Sequence, residues 1–237
     1  MATLVRGGGS LVTGSRVRRA PAKPRGELAP LGAGRFSAWL AEFREALSTG
    51  AATRVECGDC SGCCTASHFV LVEPSERGPL DRLHPGLLVQ APGMPEGTGL
   101  IPYGSRGRCP LLQDGKCSIY AIRPRACRAF DCRVLPAAGL TADAPGQKTI
   151  RDTASRWIFD FPGDLDRTEH RAVVDAAEFI EANAELFPGA RIPSRPEQLA
   201  VLAIKTYGVF LPDQPRRTPQ GLAEAVVKAA RSFDAPT

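Results

Sequence analysis

The sequence predicts an α+β fold, in which a small, irregular, cysteine-rich core with short strands carries packed C-terminal helices. Three observations point there. All eight cysteines fall between residues 57 and 132. Much of that stretch, above all residues 85 to 108, is interrupted by glycine and proline every few positions, which leaves room only for turns and short strands. After Pro136 the chain has no cysteine and changes to hydrophobic residues at helical spacing. The expected organisation is a disordered basic tail over 1–34, a cysteine-cluster domain over 35–137, and a helical extension over 138–237 packed on it.

The elements follow from local pattern. "FSAWLAEFREAL" reads as a first helix from Phe36 to Leu47, with Ser37 as a cap and Phe36, Leu40, Phe43 and Leu47 on one face. The β-branched run after the first cysteines predicts a strand at His68–Val72, and a short helix is expected from Ser75 to Leu83. Short strands are expected around Leu87–Gln90 and Leu100–Tyr103. Asp114-Gly115 signals a tight turn that folds Cys117 back towards Cys109 in a hairpin. "RPRACRAF" predicts a short helix with Pro124 at its first position. Three longer helices are expected over 168–187, 195–211 and 221–233, the first ended by Pro188-Gly189.

Net charge is +5, but it is unevenly placed. Residues 1 to 35 hold seven basic residues and one acidic residue, so the rest of the chain, with 23 basic and 24 acidic residues, is near neutral. A basic tail of this kind is a solvated segment before it is a nucleic-acid arm. Arg18-Arg19 lacks the apolar stretch of an export signal, and no apolar run approaches the roughly 20 residues that span a membrane. The expectation is a soluble, cytoplasmic protein, in a reducing compartment where clustered cysteines bind metal more often than they form disulfides.

"CGDCSGCC" spaces Cys57, Cys60 and Cys63 as C-x2-C-x2-C, with Cys64 following directly. A two-residue gap lets a tight turn aim successive thiolates at one centre, and Gly58 and Gly62 allow backbone N–H groups near sulfur. Adjacent Cys63 and Cys64 do not easily take two corners of one tetrahedron. They serve different centres, or one of them is a structural thiol. The second group is Cys109, Cys117, Cys127 and Cys132. Eight thiols suffice for two four-cysteine zinc sites, or for one cubane with several left over. From Arg106 to Arg133 seven basic residues face two acidic ones, a balance suited to offsetting the charge of metal thiolates. His68 lies near the cluster but is not needed as a ligand. His84, His170, Trp39 and Trp157 read as structural.

These two stretches, "CGDCSGCC" and "CPLLQDGKCSIYAIRPRACRAFDC", together resemble the YkgJ-type cysteine-cluster family. All eight cysteines match its pattern, as do Ile119, Tyr120, Arg123, Pro124, Arg128 and Phe130. The resemblance covers roughly residues 57 to 133 and implies a zinc- or iron-chelating domain of iron–sulfur-protein type. It implies a metal-stapled core with Cys57, Cys60, Cys63, Cys64, Cys109, Cys117, Cys127 and Cys132 as metal ligands. The expected cofactor is zinc or iron, including a 4Fe-4S cluster.

The function expected is therefore metal binding through eight cysteines. An iron–sulfur oxidoreductase is one alternative. A protein lysine N-methylase-like enzyme is another, because the flagellin lysine N-methylase carries this cysteine pattern; yet no Gly-rich nucleotide loop follows a strand here. A zinc-stabilised nucleic-acid-binding module is a third, disfavoured by the near-neutral body and by the lack of interleaved basic and aromatic residues. A protein partner is compatible with the sequence, and no catalytic constellation is visible beyond the metal site.

Overall fold

The computed structural model describes residues 29–53, 55, 60–66, 69–90, 93–104, 107–143, 146–187 and 192–235. Those residues form a mixed α+β structure of short strands in small sheets and eight helices. No helix among them is long and apolar enough to cross a membrane. Most of the tail, with Cys57, Gly58, His68 and Pro188-Gly189, lies outside the described residues.

The helical body is built from both ends of the chain. Strand β1 (Leu31–Arg35) runs directly into helix α1 (Phe36–Thr49), and β1 pairs in parallel with a later strand, β7 (Trp157–Asp160). The sequence pattern predicts neither strand, and the disordered tail expected over 1–34 gives way to strand structure at Leu31–Gly34. The reason is that this segment has no apolar alternation of its own, and its partner lies on the far side of the cysteine-rich stretch. The register shifts between Gly32 and Gly34, and Gly34 takes φ +83°, which a side chain would strain.

Aromatic residues organise the main core. Phe36 is fully buried and meets Trp39, Phe159, Phe161 and His170, with ring centroids 4.9–5.8 Å apart. His170 packs edge-on against Phe36, and burial lowers its pKa. Around this centre lie α4 (Val134–Ala137), α5 (Lys148–Ala154), α6 (Asp164–Ala182) and α7 (Pro196–Thr206). Ala176 and Ala177 on α6 and Ala200 and Ala203 on α7 are fully buried, and their small side chains let these two helices pack closely. Helix α8 (Pro219–Asp234), capped by Thr218 through the Gly221 amide, adds Ala223 and Val226 to an outer apolar cluster with Ile180, Phe187 and Leu199.

One carboxylate starts two helices. Asp166 has a fully buried side chain, and its oxygens accept from the Ser37 amide at 3.0 Å, the Gly163 amide at 3.0 Å and Arg35 Nε at 3.0 and 3.2 Å. Ser37 therefore does not cap α1 with its hydroxyl; the cap is supplied in trans by a residue in the first turn of α6. Helix α6 begins at Asp164 and ends at Ala182, followed by a short 3₁₀ turn, so its end precedes the Pro188-Gly189 pair.

The smaller lobe carries most of the cysteines. Strands β2 (Val70–Val72), β3 (Val89–Gln90) and β4 (Gly99–Ile101) form an antiparallel sheet with β4 in the middle. Helix α2 (Arg77–Arg82) lies between the first two. Val70, Val72, Leu83, Ile101, Cys109 and Leu111 make a second apolar cluster of their own. The expected hairpin is present: β5 (Leu112–Gln113) pairs with β6 (Lys116–Cys117) across Asp114 and Gly115, at φ +48° and +76°. Two positive φ values give the mirror-image turn whose twist suits a two-residue hairpin. Helix α3 (Arg125–Ala129) follows, with Pro124 one place before it.

Two outcomes test this arrangement. Phe36→Ala is expected to cost about 3–5 kcal/mol of unfolding free energy in urea. For Asp166, burial pushes the carboxyl up, but the bonds from Ser37, Arg35 and Gly163 outweigh it and hold the pKa well below the usual range. Its ionised form therefore contributes stability that is present above the unfolded carboxylate pKa of about 3.9 and lost as pH falls further. Asp166→Asn is expected to flatten the acid side of a urea-midpoint profile below about pH 5; an unchanged slope would contradict it.

Candidate metal centre

The two cysteine-bearing segments are fastened by backbone before any thiol is considered. The Cys109 amide donates to the Cys64 carbonyl at 2.8 Å, and the Tyr103 hydroxyl donates to the neighbouring Cys63 carbonyl at 2.5 Å. Upstream, the amide and hydroxyl of Thr53 both donate to the Arg128 carbonyl, at 3.0 and 2.9 Å. Tyr103 and Thr53 carry no signal in the cysteine spacing, and sequence reasoning did not pick them out.

Cys64, Cys109 and Cys127 meet at the second apolar cluster, with Cys109 buried and the other two half-buried against it. Each comes from a different local structure. Cys64 sits in a 3₁₀ turn (Cys63–Thr65), Cys109 just before the hairpin, and Cys127 on α3. Cys117, on β6 opposite Leu112, joins them electrostatically. Burial, then the neighbouring Cys64, Cys109 and Cys117, pushes the Cys127 thiol up to about 12, while Arg123 works against this. Burial likewise raises Cys109, with the Leu111 amide opposing and Cys117 adding. The Tyr103 phenol is pushed far up by burial and then by Cys109, Cys64, Cys127 and Cys63, which places it beside the same group.

Cys60 and Cys132 lie against the helical body. Exposed Cys60 places its sulfur 3.3 Å from the Thr153 hydroxyl on α5, and the Gly62 amide approaches it at 3.4 Å. Gly62 has ordinary right-handed backbone angles, so its value is not conformational freedom. A Cβ there would press on Ile150 at 3.3 Å, and the glycine allows the loop to lie on α5. Cys132 belongs to the main core, where the Trp157 indole N–H approaches its sulfur at 3.2 Å.

The residues flanking Cys132 are firmly held. Asp131 is buried and accepts from the Trp39 indole at 3.0 Å, the Arg133 amide at 2.9 Å and the Arg133 guanidinium at 2.7 Å. That guanidinium lies 5.8 and 5.7 Å from the ring centroids of Trp39 and Trp157. Both tryptophans are core residues, as expected, and they also frame this corner.

The arginines divide their charge differently from the sequence expectation. Arg125 pairs with Glu73 at 3.4 Å, Arg128 lies 3.8 Å from Glu76, and the Arg125 amide donates to Glu76 at 2.6 Å. Arg123 folds over the exposed Tyr120 ring, 4.0 Å from its centroid. Carboxylates about 50 residues upstream therefore take up charge that a local count assigned to the thiolates.

The donor set is chemically right for a thiophilic metal: several thiols, little competing oxygen, and an apolar surround. The thiols are gathered rather than closed, since no three His, Cys, Asp or Glu side chains among the described residues stand at ion-holding separations. Residues 56–144 match the model of a family described as "CxxCxxCC: Putative zinc- or iron-chelating domain". No curated protein and no solved structure gives a match to the chain.

Burial and raised pKa make a chemical order. In the metal-free protein at pH 7.5, iodoacetamide is expected to modify exposed Cys60 and Cys63 faster than Cys109 and Cys127, because burial both shields the latter two sulfurs and raises their thiols. Peptide mass spectrometry reads the order; equal rates would contradict the described environments.

Proposed function

We propose, with residues 56–144 forming a CxxCxxCC domain of the zinc- or iron-chelating kind, that this chain is a thiolate metal-binding protein. Cys57, Cys60, Cys63, Cys64, Cys109, Cys117, Cys127 and Cys132 are its donors. The observation that carries the reading is the gathering of Cys64, Cys109 and Cys127, from three separate local structures, at one apolar cluster, with Cys117 on the adjoining hairpin. Burying neutral thiols together gives no hydrogen-bonding return comparable to a backbone ladder. Cys64, Cys109 and Cys127, with Cys117, would hold a cation there as thiolates, and their protons would leave to solvent.

The chain's own groups prepare this exchange. The Cys109–Cys64 backbone bond sets the distance between two segments, and Tyr103 holds the adjacent carbonyl. Glu76 accepts from the first amide of α3 and keeps Cys127 at its station. Bound zinc would supply a closed structural clasp, and a bound iron–sulfur cluster would add one-electron chemistry. The reading assigns the chain to a reducing compartment, the cytoplasm, where free thiols persist.

Loading must release protons, because the raised thiols of Cys109 and Cys127 hold theirs near neutrality. Metal affinity is therefore expected to rise with pH between about 6 and 8. Anaerobic purification followed by elemental analysis and a visible spectrum tests the proposal. A colourless protein with stoichiometric zinc, or a brown one with iron and acid-labile sulfide, supports it and identifies the metal. Cys127→Ser is expected to lower metal content at least twofold. A wild-type protein that retains and takes up neither metal overturns the reading.

A further inference from the structure

The adjacent cysteines are the place where a single eight-thiol centre meets a geometric obstacle. Cys63 and Cys64 open a 3₁₀ turn. With three residues per turn, consecutive side chains in such a turn point about 120° apart. The two residues accordingly differ in surroundings: Cys63 is exposed, while Cys64 is half-buried against the cluster that holds Cys109 and Cys127.

The remaining thiols sort along the same line. Cys109 is bonded through its amide to the Cys64 carbonyl, and Cys117 sits on the hairpin that follows Cys109. Cys132 packs in a different apolar cluster, the main core of the helical body, with its sulfur at the Trp157 indole. Cys60 lies against Thr153, at the end of the helix that leads into the strand bearing Trp157. Cys64, Cys109, Cys117 and Cys127 are thus attached to the small lobe and Cys60 and Cys132 to the helical body. Exposed Cys63, its carbonyl held by Tyr103, stands between them with its side chain turned away from that of Cys64.

We infer that the motif holds two metal sites divided at the Cys63–Cys64 peptide: Cys64, Cys109, Cys117 and Cys127 form one, and Cys60, Cys63 and Cys132 serve the other. This rests on the thiolate metal-binding reading above and adds the number of sites and the partition of ligands. The "CC" pair is then a bridge: one peptide unit ties the two metals to one another, and each lobe of the fold is clasped by its own.

Anaerobic titration of the metal-free full chain with Co²⁺ tests it, followed by the thiolate-to-cobalt charge-transfer band. Wild type is expected to saturate at two equivalents, Cys109→Ser and Cys132→Ser at one each, and the double variant at none. Saturation of the wild type at one equivalent, lost in both single variants, overturns the division while leaving metal binding intact. No uptake by the wild type overturns both. Should a variant fail to fold by circular dichroism, the wild type alone decides the matter. The cobalt-loaded protein is stripped stepwise with chelator and alkylated. Cys64, Cys109, Cys117 and Cys127 are expected to become reactive as one group, and Cys60, Cys63 and Cys132 as another. Release of all seven in one step, or groups that cross this boundary, overturns the partition.

Discussion

A single peptide hydrogen bond, from the Cys109 amide to the Cys64 carbonyl at 2.8 Å, is the joint on which the cysteine-rich lobe depends. It brings together two segments separated by the stretch that carries β2, α2, β3 and β4. Closing a loop of this size carries an entropic cost that grows only slowly, about 0.6 kcal/mol for each doubling of length. The apolar cluster of Val70, Val72, Leu83, Ile101 and Leu111 beneath the joint offsets that cost by burial. A metal is therefore not the only closure of this loop. The polypeptide sets the approach of the thiols, and the ion completes it.

The same logic explains why so many supporting groups are backbone atoms. A carbonyl held by an amide or a phenol does not change partner when a neighbouring thiol loses its proton. The Cys63 and Cys64 carbonyls are both occupied in this way, by Tyr103 and Cys109. The sulfur atoms can change charge while the chain that carries them stays put. On the other side, the buried Asp131 and its bonds to Trp39 and Arg133 give Cys132 an equally fixed mount.

What the sequence disclosed follows the range of each interaction. Helices α1, α6, α7 and α8 were legible because their apolar spacing is a property of consecutive residues. The Asp114-Gly115 hairpin was legible because a two-residue turn is the most local element there is. The β1–β7 pairing was not, since its two strands lie on opposite sides of the whole cysteine-rich stretch and their pattern is short. Ser37 looked like a cap, yet the carboxylate that caps α1 belongs to Asp166 on a distant helix. At the site, the eight cysteines announced themselves by spacing. Their supports did not: Tyr103, Thr53 and Glu76 are ordinary residues whose roles exist only after folding. The arginine count was incomplete for the same reason: Glu73 and Glu76, outside the counted window, engage Arg125 and Arg128, while Arg123 still acts on Cys127.

The Thr53–Arg128 contact has a further meaning for how such a chain can vary. The main body is assembled from segments before and after the small lobe, and the chain leaves α1 and returns to α4 through neighbouring points. The small lobe is thus an excursion with a pinched neck. Its length can change at little entropic cost to the body, because lengthening an already closed excursion costs little. Cys132 and Cys60 are the exceptions, the first rooted in the body beside Trp157 and the second lying against Thr153. Those two thiols tie the excursion to the body, so the two parts of the molecule are not free to change independently.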